Sequence, residues 1–188
     1  ALTDVGLRRS NNQDSGYASP RMLVIADGMG GAAAGDLASA ITMEAIREID
    51  RDLDPDIEGT VLDALTDAVS VANHRVGEVI RDNPLVEGMG TTLDAMFWDG
   101  EKLAVAHIGD SRIYRFRNGN LTQISTDHTY VQSLIEEGRL SVADARVHPH
   151  RSLLLRAILG RDDLDPDFTW LQPAAGDRYL LCSDGLSD

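Results

Sequence analysis

Three aspartates stand where a short apolar run gives way to glycine or serine. They are Asp27 in IADGMGG, Asp110 in HIGDSR and Asp184 in LCSDGLSD. Carboxylate oxygens are the ligands that Mg²⁺ and Mn²⁺ prefer, and a neighbouring glycine lets a backbone carbonyl approach the same ion. Asp-Gly is also a common turn dipeptide, so each aspartate alone fits a turn equally well. The three together favour a metal site.

A basic, amide-rich stretch, RRSNNQD, precedes the first of these apolar runs. Within it, Arg9 offers a planar donor fork that suits phosphate oxygens, although an ordinary solvated arginine is the alternative. Beside metal ions, such an arginine would neutralise a phosphoryl group and orient its leaving group. Two cations that share a water lower its pKa, so the chemistry indicated is hydrolysis of a phosphate ester.

Composition limits the partners. The chain has 17 Lys and Arg residues against 31 Asp and Glu, a formal net charge of −14. This charge repels nucleic acid and anionic membranes, so we expect no nucleic-acid partner and no membrane contact within this segment. The lone Cys182 excludes an intrachain disulfide and favours a reducing, cytoplasmic setting. A membrane anchor or second domain outside the segment stays open.

The elements that must position these residues follow from periodicity. Helical spacing predicts helices over residues 36–49, 60–81, 129–137 and 141–146. Short apolar or alternating runs predict strands over residues 22–26, 91–98, 103–108, 112–117, 121–124 and 179–183. We expect the strands between residues 91 and 124 to form one antiparallel meander. Strands and helices are largely segregated, which indicates an α+β fold in a single domain over residues 1–188.

Five motifs, in this order, resemble those of the metal-dependent protein phosphatases, also called type 2C. They are R-x-x-N-x-D at residues 9–14, D-G-x-G-G at 27–31, G-T-T at 90–92, G-D-S-R at 109–112 and D-G-L-x-D at 184–188. The resemblance runs through the whole chain and is strongest to the bacterial branch that opposes Hanks-type kinases, notably its actinobacterial members. It implies an α-β-β-α sandwich of two antiparallel sheets flanked by helices, with a bimetal centre at one end.

The resemblance also implies the metal ligands. Asp27 would bridge two Mn²⁺ or Mg²⁺ ions, the Gly28 carbonyl would complete the second site, and Asp184 would bind the first. Asp110 would join Asp184 at a third, weaker ion. The implied function is hydrolysis of phosphoserine and phosphothreonine on proteins, which reverses protein kinase signalling. The partners would be phosphorylated proteins, including Ser/Thr kinases and their substrates.

The same resemblance implies supporting roles for further residues. Arg9 would bind the substrate phosphate, and Asp14 would take part in catalysis through a hydrogen bond to metal-bound water. Gln13 and Asp188 would lie in the layer around the ligands. The pattern departs at Gln13, where glutamate is usual, and at Met29, where some members carry histidine. A final Asp-Asn ligand motif, with the closing strand and helix, is expected beyond residue 188.

Two rival functions stay open. The first is a module of the same fold that binds phosphoproteins with weak or no catalysis, which the uncharged Gln13 favours. The second is an unrelated acidic hydrolase, such as a nuclease or a haloacid-dehalogenase phosphatase; the charge balance and the absence of D-x-D at Asp27 weigh against it.

Histidines add little to the choice between these functions. We expect His107 to be a satisfied core residue rather than a ligand, and His128, His148 and His150 to be surface residues or part of a flap.

Overall fold

The computed structural model describes residues 1–7, 11–30, 34–52 and 60–187. The strands are β1 (Asp14–Ala18), β2 (Met22–Met29), β3 (Gly90–Thr91), β4 (Leu93–Trp98), β5 (Leu103–Ile108), β6 (Arg112–Arg117), β7 (Asn120–Gln123), β8 (Asp167–Leu171) and β9 (Arg178–Cys182). The helices are α1 (Ala34–Asp52), α2 (Val61–Asp82), α3 (Tyr130–Glu136), α4 (Val142–Ala145) and α5 (Asp184–Ser187), with a 3₁₀ turn at Pro84–Val86. No helix in these ranges is long and apolar enough to cross a membrane.

The larger sheet has the order β1-β2-β4-β5-β8, and β3 pairs separately with β2. All of these pairs are antiparallel. Helix α1 packs on β2, and α2 packs on α1. Between sheet and helices lies a core that includes Ile46, Leu65, Leu93 and Phe97, each almost fully buried. A sheet with one apolar face must bury it, and the apolar face of an amphipathic helix provides the cover.

The smaller sheet has the order β7-β6-β9 and is also antiparallel. Its Ile113 packs against Met96 and Val105 of the larger sheet in a second buried cluster. The two sheets therefore face each other as a sandwich, and the α+β prediction with two antiparallel sheets is confirmed.

The predicted single meander is wrong, because β5 and β6 lie in different sheets. Between them Gly109 adopts φ +113°, and a Cβ on this residue would lie 2.5 Å from Thr92 Cγ2. Only glycine allows this backbone at so close an approach. The chain leaves the larger sheet here, and the break places Asp110 between the two sheets' strands.

Local capping sets the helix boundaries close to those predicted. Thr60 and Asp63 form a capping box at the start of α2, and Thr129 and Ser141 accept backbone N–H groups at the starts of α3 and α4. Such caps satisfy donors that the first helical turn leaves unpaired. Pro84 directly follows the C-cap residue Asn83 of α2.

Candidate metal centre

Two aspartates face each other on neighbouring strands. In the antiparallel register of β1 and β2, Asp14 is directly opposite Asp27. The Ser183 hydroxyl donates to Asp14 Oδ2 at 2.9 Å, and Ser183 is the residue before Asp184. The strand end at Asp27 and the start of α5 are thus joined through the side chain of Asp14.

The Asp27 carboxyl is strongly influenced by its neighbours. Burial, followed by the negative charges of Asp14, Asp184 and Asp110, raises its pKa to about 8. A carboxyl among other carboxyls, away from water, holds a proton because the charged form is disfavoured twice. Within the described residues, the structure therefore brings together four of the aspartates in the sequence motifs, which are Asp14, Asp27, Asp110 and Asp184.

Thr91 and Thr92 hold the backbone of Asp27. The Asp27 N–H donates to Thr92 Oγ1 at 3.0 Å, and its carbonyl accepts from the Thr92 N–H and the Thr91 hydroxyl, each at 2.9 Å. Thr92 Oγ1 also lies 2.8 Å from Ser111 Oγ, so the stretch links Asp27 to the residue after Asp110. The sequence analysis identified the G-T-T motif but gave its threonines no role. Two adjacent threonines at the start of a predicted strand were the sequence feature that could have indicated buried hydrogen bonds.

Gly28 occupies a position that admits no side chain. A Cβ there would lie 2.0 Å from the Gly35 carbonyl oxygen and 2.7 Å from that of Gln13. The Gly28 N–H donates to the same Gln13 carbonyl at 3.1 Å, and Ser39 Oγ donates to it at 2.7 Å. Glycine is required here because α1 begins against the backbone of β2.

His128 holds the turn before Asp110. Its N–H donates to the Gly109 carbonyl at 2.7 Å, and the Gly109 N–H donates to His128 Nδ1 at 3.2 Å. Nδ1 therefore lacks a proton, and Nε2–H faces Asp167 Oδ2 at 3.2 Å. Burial, and the nearby His107, lower the pKa of His128. The prediction of a surface position is wrong for His128, which is only 8% exposed because its ring packs behind Gly109; its place in a flap stays a prediction.

His107 is a satisfied core residue, as predicted. Its Nδ1 lies 2.5 Å from Asp94 Oδ1 and its Nε2 donates to the Thr126 carbonyl at 2.8 Å. Burial opposes the charged ring, but the hydrogen bond and charge of Asp94 outweigh it and raise the pKa of His107. Burial raises the pKa of Asp94, and the hydrogen bond and charge of His107 oppose this rise. The two groups form a buried hydrogen-bonded pair inside the larger sheet.

The remaining predicted residues are Arg9, Asp188, His148 and His150. Arg9 and Asp188 fall outside the described residues, so their predicted roles are untested. His148 and His150 lie beside Tyr130, with ring centroids 6.1 and 6.3 Å from its own. Both are on the part of the chain between α4 and β8.

The types of oxygen donor in the cluster fit divalent cations, but their side chains do not converge on one position. Among the described residues, no three His, Cys, Asp or Glu side chains already stand at the spacing of a formed metal site. Burial and the negative charges of Asp14, Asp184 and Asp110 nevertheless raise the pKa of Asp27. Oxygen donors in excess of nearby positive charge are what Mg²⁺ and Mn²⁺ bind.

A two-sheet sandwich with a cluster of aspartates at its strand ends defines a carboxylate-centred α+β domain. The family model described as Protein phosphatase 2C matches residues 8–188. The chain therefore belongs to the protein phosphatase 2C family.

Particular relatives agree with this family. The serine/threonine protein phosphatase PstP of Mycobacterium tuberculosis is 48% identical over 188 residues, which is 100% of this chain and 36% of that protein. The chain thus spans little more than a third of that relative. The protein phosphatase PhpP of Streptococcus pneumoniae is 35% identical over 192 residues, covering 100% of this chain and 78% of that protein.

Solved structures show the same fold. The PstP catalytic domain in complex with two manganese ions is 46% identical, with a TM-score of 0.87 over 97% of this chain and 75% of that chain. Serine/threonine phosphatase Stp1 of Staphylococcus aureus is 26% identical, with a TM-score of 0.90 over 99% of this chain and 75% of that chain.

Proposed function

We propose that residues 1–188 form one phosphatase catalytic domain that hydrolyses phosphoserine and phosphothreonine on proteins with Mn²⁺ or Mg²⁺. The observation that carries this proposal is the buried Asp27 carboxyl, whose pKa is raised to about 8 by burial and by Asp14, Asp184 and Asp110. The two manganese ions of the related PstP catalytic domain support the choice of metal. We further propose a cytoplasmic setting in which the substrates include Ser/Thr kinases and the proteins that they phosphorylate.

Asp27, the Gly28 carbonyl and Asp184 would hold two cations, and Asp110 would join Asp184 at a third. When bound, the cations would activate a water and neutralise charge on the phosphoryl group. Arg9 would bind the phosphate oxygens of the substrate.

Residues around the ligands complete the arrangement. Asp14, anchored by Ser183, would orient water at the centre, while Gln13 and Asp188 would support the ligands. Without metal, Asp27 keeps its proton near neutral pH, so metal binding releases that proton and strengthens as the pH rises.

The test compares Asp27→Asn with Asp99→Asn. Asp99 lies in the turn after β4, where its Oδ1 accepts the N–H groups of Glu101 and Lys102, and the amide oxygen of an asparagine at this position can still accept both. Each substitution replaces one carboxyl group by an amide of nearly the same size. Hydrolysis of para-nitrophenyl phosphate and of a phosphothreonine peptide is measured against Mn²⁺ concentration, and Mn²⁺ binding is measured by calorimetry.

We expect wild type and Asp99→Asn to hydrolyse both substrates and Asp27→Asn to lose at least about a hundredfold in rate and most of its Mn²⁺ affinity. Wild-type hydrolysis retained in Asp27→Asn would remove Asp27 from the centre. Gln13 favours one alternative, a phosphoprotein-binding module. In that case the wild-type chain would bind the phosphopeptide but not turn it over with any Mn²⁺ concentration.

A further inference from the structure

A basic turn follows α4. Residues 146–151 read R-V-H-P-H-R and contain no acidic residue, in a chain whose formal net charge is −14. Both Arg146 and Arg151 are exposed. A positive turn on a negative protein creates a local potential opposite to that of the whole molecule.

The two arginines of this turn differ from neighbouring arginines in their ion pairs. Nearby Arg139 pairs with Glu137 at 2.8 Å, and Arg156 pairs with Asp165 and Asp167, each at 3.2 Å. Arg146 and Arg151, in contrast, form no ion pair with any residue in the described ranges. Their guanidinium groups are therefore open to a carboxylate or phosphate from another molecule.

The turn has a defined shape. The N–H of His148 donates to Ala145 O at 3.2 Å, and that of Arg151 donates to His148 O at 3.1 Å. The N–H of His150 donates to His148 Nδ1 at 3.1 Å, and both imidazole rings lie beside Tyr130. These contacts make two successive turns that share His148, so the backbone between Arg146 and Arg151 has a defined course.

The segment after the turn runs along the candidate metal centre. The Leu155 N–H donates to the His128 carbonyl at 2.8 Å, and His128 holds Gly109 next to Asp110. Further on, Ile158 exchanges two backbone hydrogen bonds with Thr91, whose hydroxyl donates to the Asp27 carbonyl. The basic turn thus directly precedes a segment that is hydrogen-bonded to the residues holding Gly109 and Asp27.

Apolar side chains accompany the arginines. Val147 is 81% exposed, Leu153 49% and Leu155 56%. A surface that alternates open guanidinium groups with exposed aliphatic side chains complements a peptide that carries acidic and apolar residues.

We infer that the basic turn docks the acidic sequence that flanks the phosphorylated residue, so that the preferred substrates are phosphoproteins with glutamates or aspartates near the phosphosite. This inference rests on the proposed function, because it assigns a substrate class to the same site. The occupant is an extended acidic peptide rather than nucleic acid or membrane, since the net charge of the protein repels large polyanions.

The first experiment measures binding without turnover. Fluorescence anisotropy in EDTA compares a labelled phosphothreonine peptide flanked by glutamates with the same peptide flanked by glutamines. The proteins are wild type, Arg146→Gln/Arg151→Gln and the control Arg81→Gln/Arg178→Gln. The control also replaces two exposed arginines that have no ion pair in the described ranges. It therefore changes the net charge by the same amount as the Arg146/Arg151 variant.

We expect wild type and control to bind the glutamate peptide roughly tenfold more tightly than the glutamine peptide, and the Arg146/Arg151 variant to bind both alike. Equal binding of both peptides by wild type, or equal loss in the control, overturns the inference. Equally tight binding of a single-stranded oligonucleotide or of anionic vesicles also overturns it. Melting temperatures confirm that the variants fold.

The second experiment separates this inference from the proposed function. The ratio of kcat/KM for the glutamate peptide to that for the glutamine peptide is measured with Mn²⁺. A wild-type ratio near one with rapid turnover of both peptides contradicts the docking role alone. If wild type turns over neither peptide, the proposed function fails, and the metal-free binding result still decides the docking role.

Discussion

The Asp27 side chain stands in surroundings that oppose its own charge. Burial and three other carboxyls act on it together, and Thr91 and Thr92 hold its backbone through hydrogen bonds. Such a group lowers the stability of the metal-free protein, and under the proposed function a bound cation would be its favourable partner. Residues arranged for function commonly reduce stability in this way.

This conflict predicts how stability depends on pH. The ordinary pKa of Asp27 is 3.8 and its folded value is about 8, so between these limits the folded state holds a proton that the unfolded state has lost. The free energy of unfolding of the metal-free protein should therefore fall as the pH rises from about 4 to about 8. Asp27→Asn should remove the part of this slope that Asp27 causes and be more stable than wild type at pH 8.

Urea denaturation in EDTA at several pH values measures this effect. Asp99→Asn serves as the control and should keep the wild-type slope. Adding Mn²⁺ should reverse the order, because only the wild type gains binding energy. A wild type that is more stable than Asp27→Asn at pH 8 in EDTA would contradict the prediction.

A second prediction concerns His128. In His128→Asn the amide oxygen can take the place of Nδ1 and accept the Gly109 N–H, whereas His128→Leu has no acceptor. Hydrogen exchange of the Gly109 amide should be roughly five- to tenfold faster in His128→Leu and near wild type in His128→Asn. The amide of residue 128, which donates to the Gly109 carbonyl in all three proteins, is the internal control. Equal exchange at Gly109 in both variants would show that the ring does not hold this turn.

At this scale the sequence predicted the charged residues and missed the neutral ones that hold them. Asp27, Asp110 and Asp184 could be found because each ends an apolar run beside glycine or serine. Thr92 and His128 act through hydrogen bonds to residues far away along the chain, at Asp27 and Gly109. Such bonds depend on the folded arrangement and leave no local pattern.

At the scale of elements, the close contact between β2 and α1 positions the strand that carries Asp27 and Gly28. Gly28 and Gly35 meet there so closely that a Cβ on Gly28 would lie 2.0 Å from the Gly35 carbonyl oxygen. The close approach sets the position of α1 over the strand that carries Asp27. Any side chain at Gly28 would move the helix or the strand.

Gly28→Ala should therefore destabilise the protein by about 2–3 kcal/mol and weaken Mn²⁺ binding. Gly16→Ala is the matched change in the neighbouring strand, where a Cβ would meet Ala1 Cβ at an ordinary 3.5 Å. That variant should stay within about 0.5 kcal/mol of wild type. Chemical denaturation and calorimetry provide the two measurements. Similar stability losses in both variants would mean that the Gly28 contact is not the cause.

Most elements could be predicted because helical and strand periods, caps and turns are local. The strands β1 and β8 were missed. Both are edge strands, and DSGYA has few apolar residues, whereas the alternating Phe168 and Trp170 of DFTWL were a strand signal that was overlooked. The transfer of the chain between sheets at Gly109 was also missed. A glycine there predicts a turn, but the sheet that the next strand joins is decided by packing of Ile113 against Val105.

Over the whole molecule, the excess of acidic residues acts on stability as well as on partners. A formal net charge of −14 implies repulsion within the folded state. Raising NaCl from about 10 to about 150 mM should shorten the range of this repulsion and raise the melting temperature by a few degrees. Tetramethylammonium chloride should give the same gain, because its cation is too large to enter the Asp27 cluster. A gain with NaCl alone would indicate site binding of sodium instead of screening.

The bond between Ser183 and Asp14 joins residues that are 169 positions apart. During synthesis at about 5–20 residues per second, Asp14 would leave the ribosome roughly 8–34 seconds before its partner exists. The candidate site can therefore not be assembled by the nascent chain until nearly all of this sequence has been translated. Until then the N-terminal strand lacks that contact, so the bond between Ser183 and Asp14 can form only after translation has passed residue 183.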